Sequence, residues 1–124
     1  MKVFIAGPRA VSKLNDSVTE RLRNIHNKGF TVLVGDANGV DALIQKYYSN
    51  LNAQKDIAMA KNADYGFMIW NGKSRGTLNN IINLISENKK ALIYLIPHDM
   101  FITVNSKAEL EYLISMCPVG TKEI

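Results

Sequence analysis

Four short apolar runs, none of which alternates with polar residues, constrain the fold of this chain more than any other feature. They are Val3–Ala6, Thr31–Val34, Gly66–Trp70 and Ala91–Ile96. A strand that is apolar on both sides belongs in a sheet that is covered on both faces, which is typical of parallel sheets. The four runs therefore predict strands of a buried parallel sheet.

Segments with helical periodicity separate these runs. Ser17 and Glu20 have the spacing of a capping box, and Gly29 marks the end of the helix that they open. A second capping box, Ser106 with Glu109, opens a last helix. The other predicted elements are helices over Val40–Asn50, Ile57–Lys61 and Leu78–Glu87, and a short additional strand over Phe101–Val104.

The alternation of strand and helix indicates right-handed βαβ crossovers. We therefore expect an α/β fold, with a Rossmann-like, doubly wound parallel sheet of four to five strands in a three-layer α/β/α arrangement. The 124 residues suffice for one hydrophobic core and are too few for two. Residues 1–124 are predicted to form a single domain.

The composition narrows the class of protein. One cysteine and two histidines are too few for a disulfide framework or a structural metal site, and we expect neither a metal ion nor a cofactor. The longest apolar run, Ala91–Pro97, is far shorter than the roughly 20 residues of a membrane span, and Val3–Ala6 is too short for a signal peptide. These features predict a cytoplasmic protein with no membrane partner.

The formal net charge is +4, with 15 Lys and Arg against 11 Asp and Glu. A mildly basic surface suits a ligand that carries phosphate. The basic residues form no stripe and are not interleaved with aromatic residues, so we expect no nucleic-acid partner.

Glycine-containing polar turns follow three of the four predicted strands. In a doubly wound sheet, ligands bind beyond the carboxyl ends of the strands, where the crossover direction reverses. We therefore expect these turns to meet at one edge of the sheet. They are Gly7-Pro8-Arg9, Gly35-Asp36-Ala37-Asn38-Gly39-Val40-Asp41 and Asn71-Gly72-Lys73-Ser74-Arg75-Gly76-Thr77.

The third turn has the form of an anion site. Glycines allow backbone N–H groups to approach a ligand, and a helix N-terminus offers unpaired N–H groups at the positive end of its dipole. Directly before a predicted helix, this turn places two glycines, two hydroxyl groups and two cations: Gly72 and Gly76, Ser74 and Thr77, Lys73 and Arg75.

Residues around the other turns could complete a nucleotide site. Arg9 could form a bidentate contact with a phosphate, and Asp36 or Asp41 could accept hydrogen bonds from ribose hydroxyls. Trp70 could stack on a base. The candidate ligand-binding residues are therefore Gly7, Pro8, Arg9, Gly35, Asp36, Asn38, Gly39, Asp41, Trp70, Asn71, Gly72, Lys73, Ser74, Arg75, Gly76 and Thr77.

Several of these residues also have a structural interpretation. Gly7 and Gly35 could serve only to make tight strand-to-helix turns. Asp41 could cap the helix that follows it, and Trp70 could pack in the core.

Taken together, the turns resemble those of the SLOG superfamily, named for the SMF/DprA and LOG proteins, and within it the small YspA-like branch of bacterial and phage proteins. The resemblance extends over nearly the whole chain. Its matching residues are Val3–Arg9, Val34–Asp41, Lys55-Asp56, Met59, Ala63–Gly66 and Ile69–Thr77.

The resemblance implies a Rossmann-like sheet that binds a nucleotide or a nucleotide-derived ligand, such as ADP-ribose, a relative of NAD or a cyclic signalling nucleotide. It also implies a location in the bacterial cytoplasm, for a protein of the host or of a phage. LOG enzymes release a free base from a nucleoside monophosphate, and similar deoxyribosyltransferases exchange bases. Other branches sense signalling nucleotides, and DprA relatives bind single-stranded DNA.

The chain departs from this superfamily in two places. LOG enzymes carry a catalytic glutamate three residues after a Gly-Thr pair, and Asn80 stands at that position here. Asparagine cannot act as a carboxylate base or nucleophile, although Asp36, Asp41 or Asp64 could substitute. Relatives also place a strand between the second helix and Lys55-Asp56, whereas Tyr48–Gln54 bridges these directly. A missing edge strand would expose a surface for self-association, so we expect a homodimer or a higher homo-oligomer.

Two main hypotheses of function follow. The chain is a non-catalytic sensor or sequestering module for a nucleotide-derived small molecule, because the binding turns are present and the glutamate is not. Alternatively, it is an N-glycosidase or ribosyltransferase in which Asp36 or Asp41 stabilises or attacks the oxocarbenium-like sugar. Binding of single-stranded DNA is a third hypothesis, which the absence of a basic stripe disfavours.

Overall fold

The computed structural model describes residues 1–8, 13–34, 39–50, 55–57 and 63–117. The predicted site residues Arg9, Gly35, Asp36 and Asn38 lie outside the described residues. The strands are β1 (Lys2–Ala6), β2 (Thr31–Val34), β3 (Lys55–Ile57), β4 (Tyr65–Trp70), β5 (Ala91–Leu95) and β6 (Met100–Val104). The helices are α1 (Asp16–Asn27), α2 (Val40–Asn50), α3 (Arg75–Ser86) and α4 (Lys107–Ser115), and Ile96–His98 forms one 3₁₀ turn.

The described strands form one sheet in the order β3-β2-β1-β4-β5-β6. β1 to β5 are parallel, and β6 runs antiparallel to β5. The predicted Rossmann-like α/β fold is confirmed. The sheet has six strands in the described part of the chain, where the sequence predicted four to five.

Helices cover both faces of this sheet. Because side chains alternate along a strand, Val3 and Ile5 of β1 pack with α1 and α2, whereas Phe4 and Ala6 pack with α3 and α4. From β1 the chain winds outward through β2 to β3, and from β4 it winds in the opposite direction to β5. α1 and α2 cover one face of the sheet, and α3 covers the other. Because both the direction of winding and the covered face change between the two halves, the crossovers all keep the same hand.

The N-terminus of α1 differs from the prediction. Its N-cap is Asn15, whose side chain accepts a hydrogen bond from the Val18 backbone N–H at 3.0 Å, so Ser17 lies inside the first turn. The Asn15 side-chain N–H also donates to the Tyr94 hydroxyl at 2.6 Å. This contact with a distant residue cannot be read from local spacing. The cap at Ser106 is confirmed, since its hydroxyl accepts from the Glu109 N–H at 3.3 Å.

The segment after α2 also differs from the prediction. The sequence predicts a helix over Ile57–Lys61, but Ile57 ends β3, and the rest of that range lies outside the described residues. β3 pairs with β2, with Asp56 beside Leu33, so a strand occupies the sheet edge that the sequence predicted to be open. The predicted self-association at that edge therefore loses its basis.

Within the described ranges, no helix combines the length and the apolar character that crossing a bilayer requires.

The Asn15 cap gives a first prediction. Asn15→Ala should lower the free energy of unfolding by about 1–2 kcal/mol, because the helix loses its cap and Tyr94 loses a donor. Ser17→Ala is the matched control and should change it by less than about 0.5 kcal/mol. Urea denaturation followed by circular dichroism measures both variants, and equal losses would contradict the assignment of the cap to Asn15.

Candidate functional site

A cleft opens at the point where the direction of the crossovers reverses. β1 and β4 are neighbours, and the chain leaves their carboxyl ends toward opposite sides of the sheet. This is where open α/β sheets bind ligands. The cleft has a volume of about 670 Å³ and is lined by Ala6, Gly7, Pro8, Asp41, Asn71, Lys73, Ser74, Gly76, Thr77 and Asn80.

The turn between β4 and α3 forms one wall and is held by its own hydrogen bonds. The Asn71 side-chain oxygen accepts from the backbone N–H groups of Lys73 and Ser74, each at 2.9 Å. Ser74 is the N-cap of α3, and its hydroxyl accepts from the Thr77 N–H at 3.3 Å. From beneath, the indole N–H of Trp70 donates to the Ser74 carbonyl at 3.0 Å. These hydrogen bonds hold the conformation of the wall without a ligand.

Gly76, in the first turn of α3, lies exposed at this wall. A Cβ added at Gly76 would meet nothing within 4 Å, and its φ is not in the left-handed region. Neither packing nor backbone conformation therefore requires glycine here, although glycine in a helix costs about 0.5–1 kcal/mol relative to alanine. The fold therefore does not explain why this residue is glycine. At a helix N-terminus that faces a cleft, a residue without a side chain would allow a ligand to approach the backbone closely.

Gly7 lies in the opposite wall of the cleft, and packing within the fold explains why this residue is glycine. A Cβ at Gly7 would lie 2.7 Å from the Ile69 carbonyl oxygen and 2.7 Å from the Val40 Cγ1. The same contact is reinforced by the Val40 N–H, which donates to the Pro8 carbonyl at 3.2 Å. Gly7 is thus the point where the N-terminus of α2 packs directly on the ends of β1 and β4.

This packing brings Asp41 to the cleft. Asp41 lies in the first turn of α2, just after Gly39, whose φ of 79° is in the left-handed region that favours glycine. The Asp41 side chain is 6% exposed. The predicted capping role is wrong, because Asp41 is the second residue of α2 and Gly39 precedes the helix. At this position its carboxylate is stabilised by the positive end of the helix dipole, and the residue lines the cleft.

The cleft does not collect all the predicted residues. Trp70 is 1% exposed and belongs to the core, so it cannot stack on a ligand, because its ring supports the turn from inside. Gly72 has a φ of 78° and packs toward the Cys117 Sγ, away from the cleft. Arg75 is exposed and is not among the lining residues, which leaves Lys73 as the described cation at the cleft.

A second cavity, of about 280 Å³, lies on the other side of the same turn. It shares Asn71 and Lys73 with the cleft, and its remaining lining residues are Gly72, Leu95, Pro97, His98, Met116 and Cys117. Burial raises the pKa of the Cys117 thiol, which therefore stays protonated and weakly nucleophilic at neutral pH. The two cavities together offer one polar and one largely apolar compartment.

A larger groove, of about 800 Å³, lies between α3 and α4 and contains none of the predicted site residues. Volume alone would favour this groove, but it is remote from the switch point, and its lining combines four aliphatic residues with polar and charged ones. The switch-point cleft is the stronger candidate because polar groups from three elements converge on it. In the described part of the chain, no three His, Cys, Asp or Glu residues are grouped closely enough to hold a metal ion.

Sequence reasoning did not assign Ala6 or Asn80 to the ligand site, although both line the cleft. Asn80 follows Gly76 by four residues on α3, so helical spacing places both on one face. That spacing could have identified Asn80. Ala6 carries no comparable signal.

Comparison of the chain with models of protein families, with curated proteins and with solved structures gives no match.

The two glycines of the cleft give a second prediction. Gly7→Ala should reduce the free energy of unfolding by about 1–3 kcal/mol, because the added methyl group meets the backbone of β4 and Val40. Gly76→Ala should leave it unchanged or raise it by up to about 1 kcal/mol, since the methyl group enters open space. Thermal and urea unfolding would contradict this account if Gly76→Ala were as destabilising as Gly7→Ala.

Proposed function

We propose that this protein binds the phosphate group of a nucleotide or nucleotide-derived small molecule in the switch-point cleft, and acts as a sensor or sequestering module. The observation that carries the proposal is Gly76: it lies exposed in the first turn of α3, and the fold gives no reason for its glycine. The ligand class includes ADP-ribose-like and NAD-like molecules and cyclic signalling nucleotides.

The electrostatics of the cleft favour an anion. The N-terminus of α3 carries a partial positive charge, and among the described residues nothing accepts a hydrogen bond from the Gly76 N–H. Lys73 adds a full positive charge beside it, and the hydroxyl of Ser74 lines the same wall. The formal net charge of +4 draws anions toward the molecule.

The size of the site favours a ligand larger than free phosphate. Pockets for small molecules and cofactors have volumes of about 300–1,000 Å³, and the cleft of about 670 Å³ falls within that range. Asn71 and Lys73 border both this cleft and the cavity of about 280 Å³. A ligand with an anionic part and a flat apolar part would match these two compartments. The resemblance to the SLOG superfamily supports the same class of ligand.

A second candidate function is hydrolysis or transfer at an N-glycosidic bond. The observation that favours it is the position of Asp41, a carboxylate 6% exposed and in the lining of the same cleft. Shielded from water, such a carboxylate could stabilise an oxocarbenium-like sugar. Asn80, also in the lining, cannot supply that charge.

One mass-spectrometric experiment separates the two functions. The purified protein is incubated with NAD, ADP-ribose, cyclic ADP-ribose isomers, nucleoside monophosphates and deoxynucleosides, and the free ligands are measured before and after heat denaturation. A compound that is depleted and then returned intact on heating supports binding. Free base that accumulates with time supports the enzyme. A panel that remains unchanged in both measurements contradicts both.

Gly76→Asp tests the assigned site. The new carboxylate would occupy the space beside the Gly76 N–H and repel a phosphate, so affinity for the depleted compound should fall at least about tenfold, or 1.4 kcal/mol. Asn79→Asp is the matched control, because it adds the same charge to an exposed position of α3 outside the cleft. Isothermal titration calorimetry measures both, and unchanged affinity in Gly76→Asp would place the ligand elsewhere.

Asp41→Asn tests the alternative. If the protein releases free base, this nearly isosteric change should lower the rate at least about 100-fold while leaving ligand affinity within about threefold, because it removes the charge that the transition state needs. Base release is followed by liquid chromatography. A variant with the wild-type rate would show that Asp41 is not the catalytic carboxylate.

A further inference from the structure

The two edges of the described sheet are built differently. β3, at one edge, has three residues, of which Lys55 and Asp56 are charged. β6, at the other edge, has five residues, Met-Phe-Ile-Thr-Val, with no charge, proline or glycine among them. Proteins commonly keep edge strands from pairing with other chains by making them short or charged. β3 has both protections, and β6 has neither.

β6 offers backbone groups for pairing along its outer side. It pairs with β5 over its whole length, from Ala91 beside Val104 to Leu95 beside Met100. In an antiparallel ladder the remaining N–H and C=O groups of a strand point away from its neighbour. Within the part of the chain that the structure describes, no strand lies on that outer side. The edge is therefore a row of donors and acceptors flanked by apolar side chains.

Exposed apolar side chains concentrate on the same elements. Three large apolar side chains are exposed among the described residues: Met1, Met100 and Tyr112, the last two at 41% and 66%. Met100 belongs to β6, and Tyr112 belongs to α4, which packs on β6. Two of the three thus lie on the elements that form this edge. Met100 therefore adds exposed apolar surface to the unpaired strand itself.

We propose that β6 pairs antiparallel with β6 of a second copy of this chain, about a two-fold axis at Ile102, and so joins two sheets into one. In this register Met100 lies opposite Val104 of the partner subunit, and Phe101 lies opposite Thr103 of the partner subunit. The interface is isologous, as in most homodimers.

The charge pattern favours a second copy as the occupant. With Ile102 on the axis, Asp99 lies opposite Asn105 and Lys107 lies opposite Pro97, so no two like charges meet along the pairing. Two chains that each carry a net charge of +4 repel one another over most of their surfaces. β6 itself carries no charged side chain, so the two strands can approach there, with the Arg21 guanidinium over the Phe101 ring at 4.9 Å from its centroid. Pairing at this edge strand is independent of the ligand in the cleft.

The mass of the protein in solution tests the proposal. Because a paired strand buries little surface, the dimer should be weak, and sedimentation equilibrium is measured from about 1 µM to about 500 µM. The average mass should rise with concentration from 13.8 kDa toward twice that value. The variant Met100→Lys/Thr103→Lys places two cations on the edge at exposed positions and should weaken dimerisation at least about tenfold.

The control variant Asn27→Lys/Asn79→Lys adds the same charge at exposed positions of α1 and α3, and it should dimerise like the wild type. A wild type that stays monomeric throughout the range overturns the proposal. A dimer that survives Met100→Lys/Thr103→Lys, or that the control weakens equally, also overturns it. A dimer that survives the edge variant would point to the groove between α3 and α4 as the alternative surface.

Hydrogen exchange gives a second measurement that needs no variant, in case the doubly substituted edge does not fold. Protection of the Met100–Val104 amides should increase with protein concentration, because half of these groups gain partners only in the dimer. Amides of Lys55–Ile57 should show no such increase. Equal behaviour of the two edges would contradict the proposal.

Discussion

The contact of Gly7 with Val40 and Ile69 is the constraint on which the cleft depends. Three elements meet there: the end of β1, the end of β4 and the first turn of α2. Only a residue without a side chain allows them to come this close. The contact positions Asp41 above the carboxyl ends of the strands, beside the open space between α2 and α3. The cleft therefore lies between α2, which packs on the strand ends at Gly7, and the turn that leads from β4 into α3.

The sequence predicted the class of fold because the deciding signals were local. Continuous apolar runs such as Val3–Ala6 and Ala91–Ile96 need cover on both faces, and the helical period of Leu78–Glu87 supplies that cover. The edge of the sheet where Gly7, Asp41 and Gly76 converge followed from the same reasoning, since parallel strands that alternate with helices bring their carboxyl ends together.

The errors have one physical origin, which is contact between residues distant in sequence. β3 is a strand because it forms backbone hydrogen bonds with β2. The local sequence of Lys55–Ile57 does not predict a strand. Asn15 takes the cap of α1 partly through Tyr94, 79 residues away. Trp70 lies in the core because alternation along β4 turns its ring toward α3 and α4, whereas its position next to the polar turn suggested a surface role.

The hydrogen bond from Trp70 to Ser74 makes the cleft observable. Trp70 is the single tryptophan of the chain, and its indole N–H contacts the backbone of a residue that lines the cleft. Its emission spectrum depends on that hydrogen bond and on the polarity around the ring. The protein therefore carries an intrinsic optical probe, placed where a shift of the β4–α3 turn by a fraction of an ångström would change its signal.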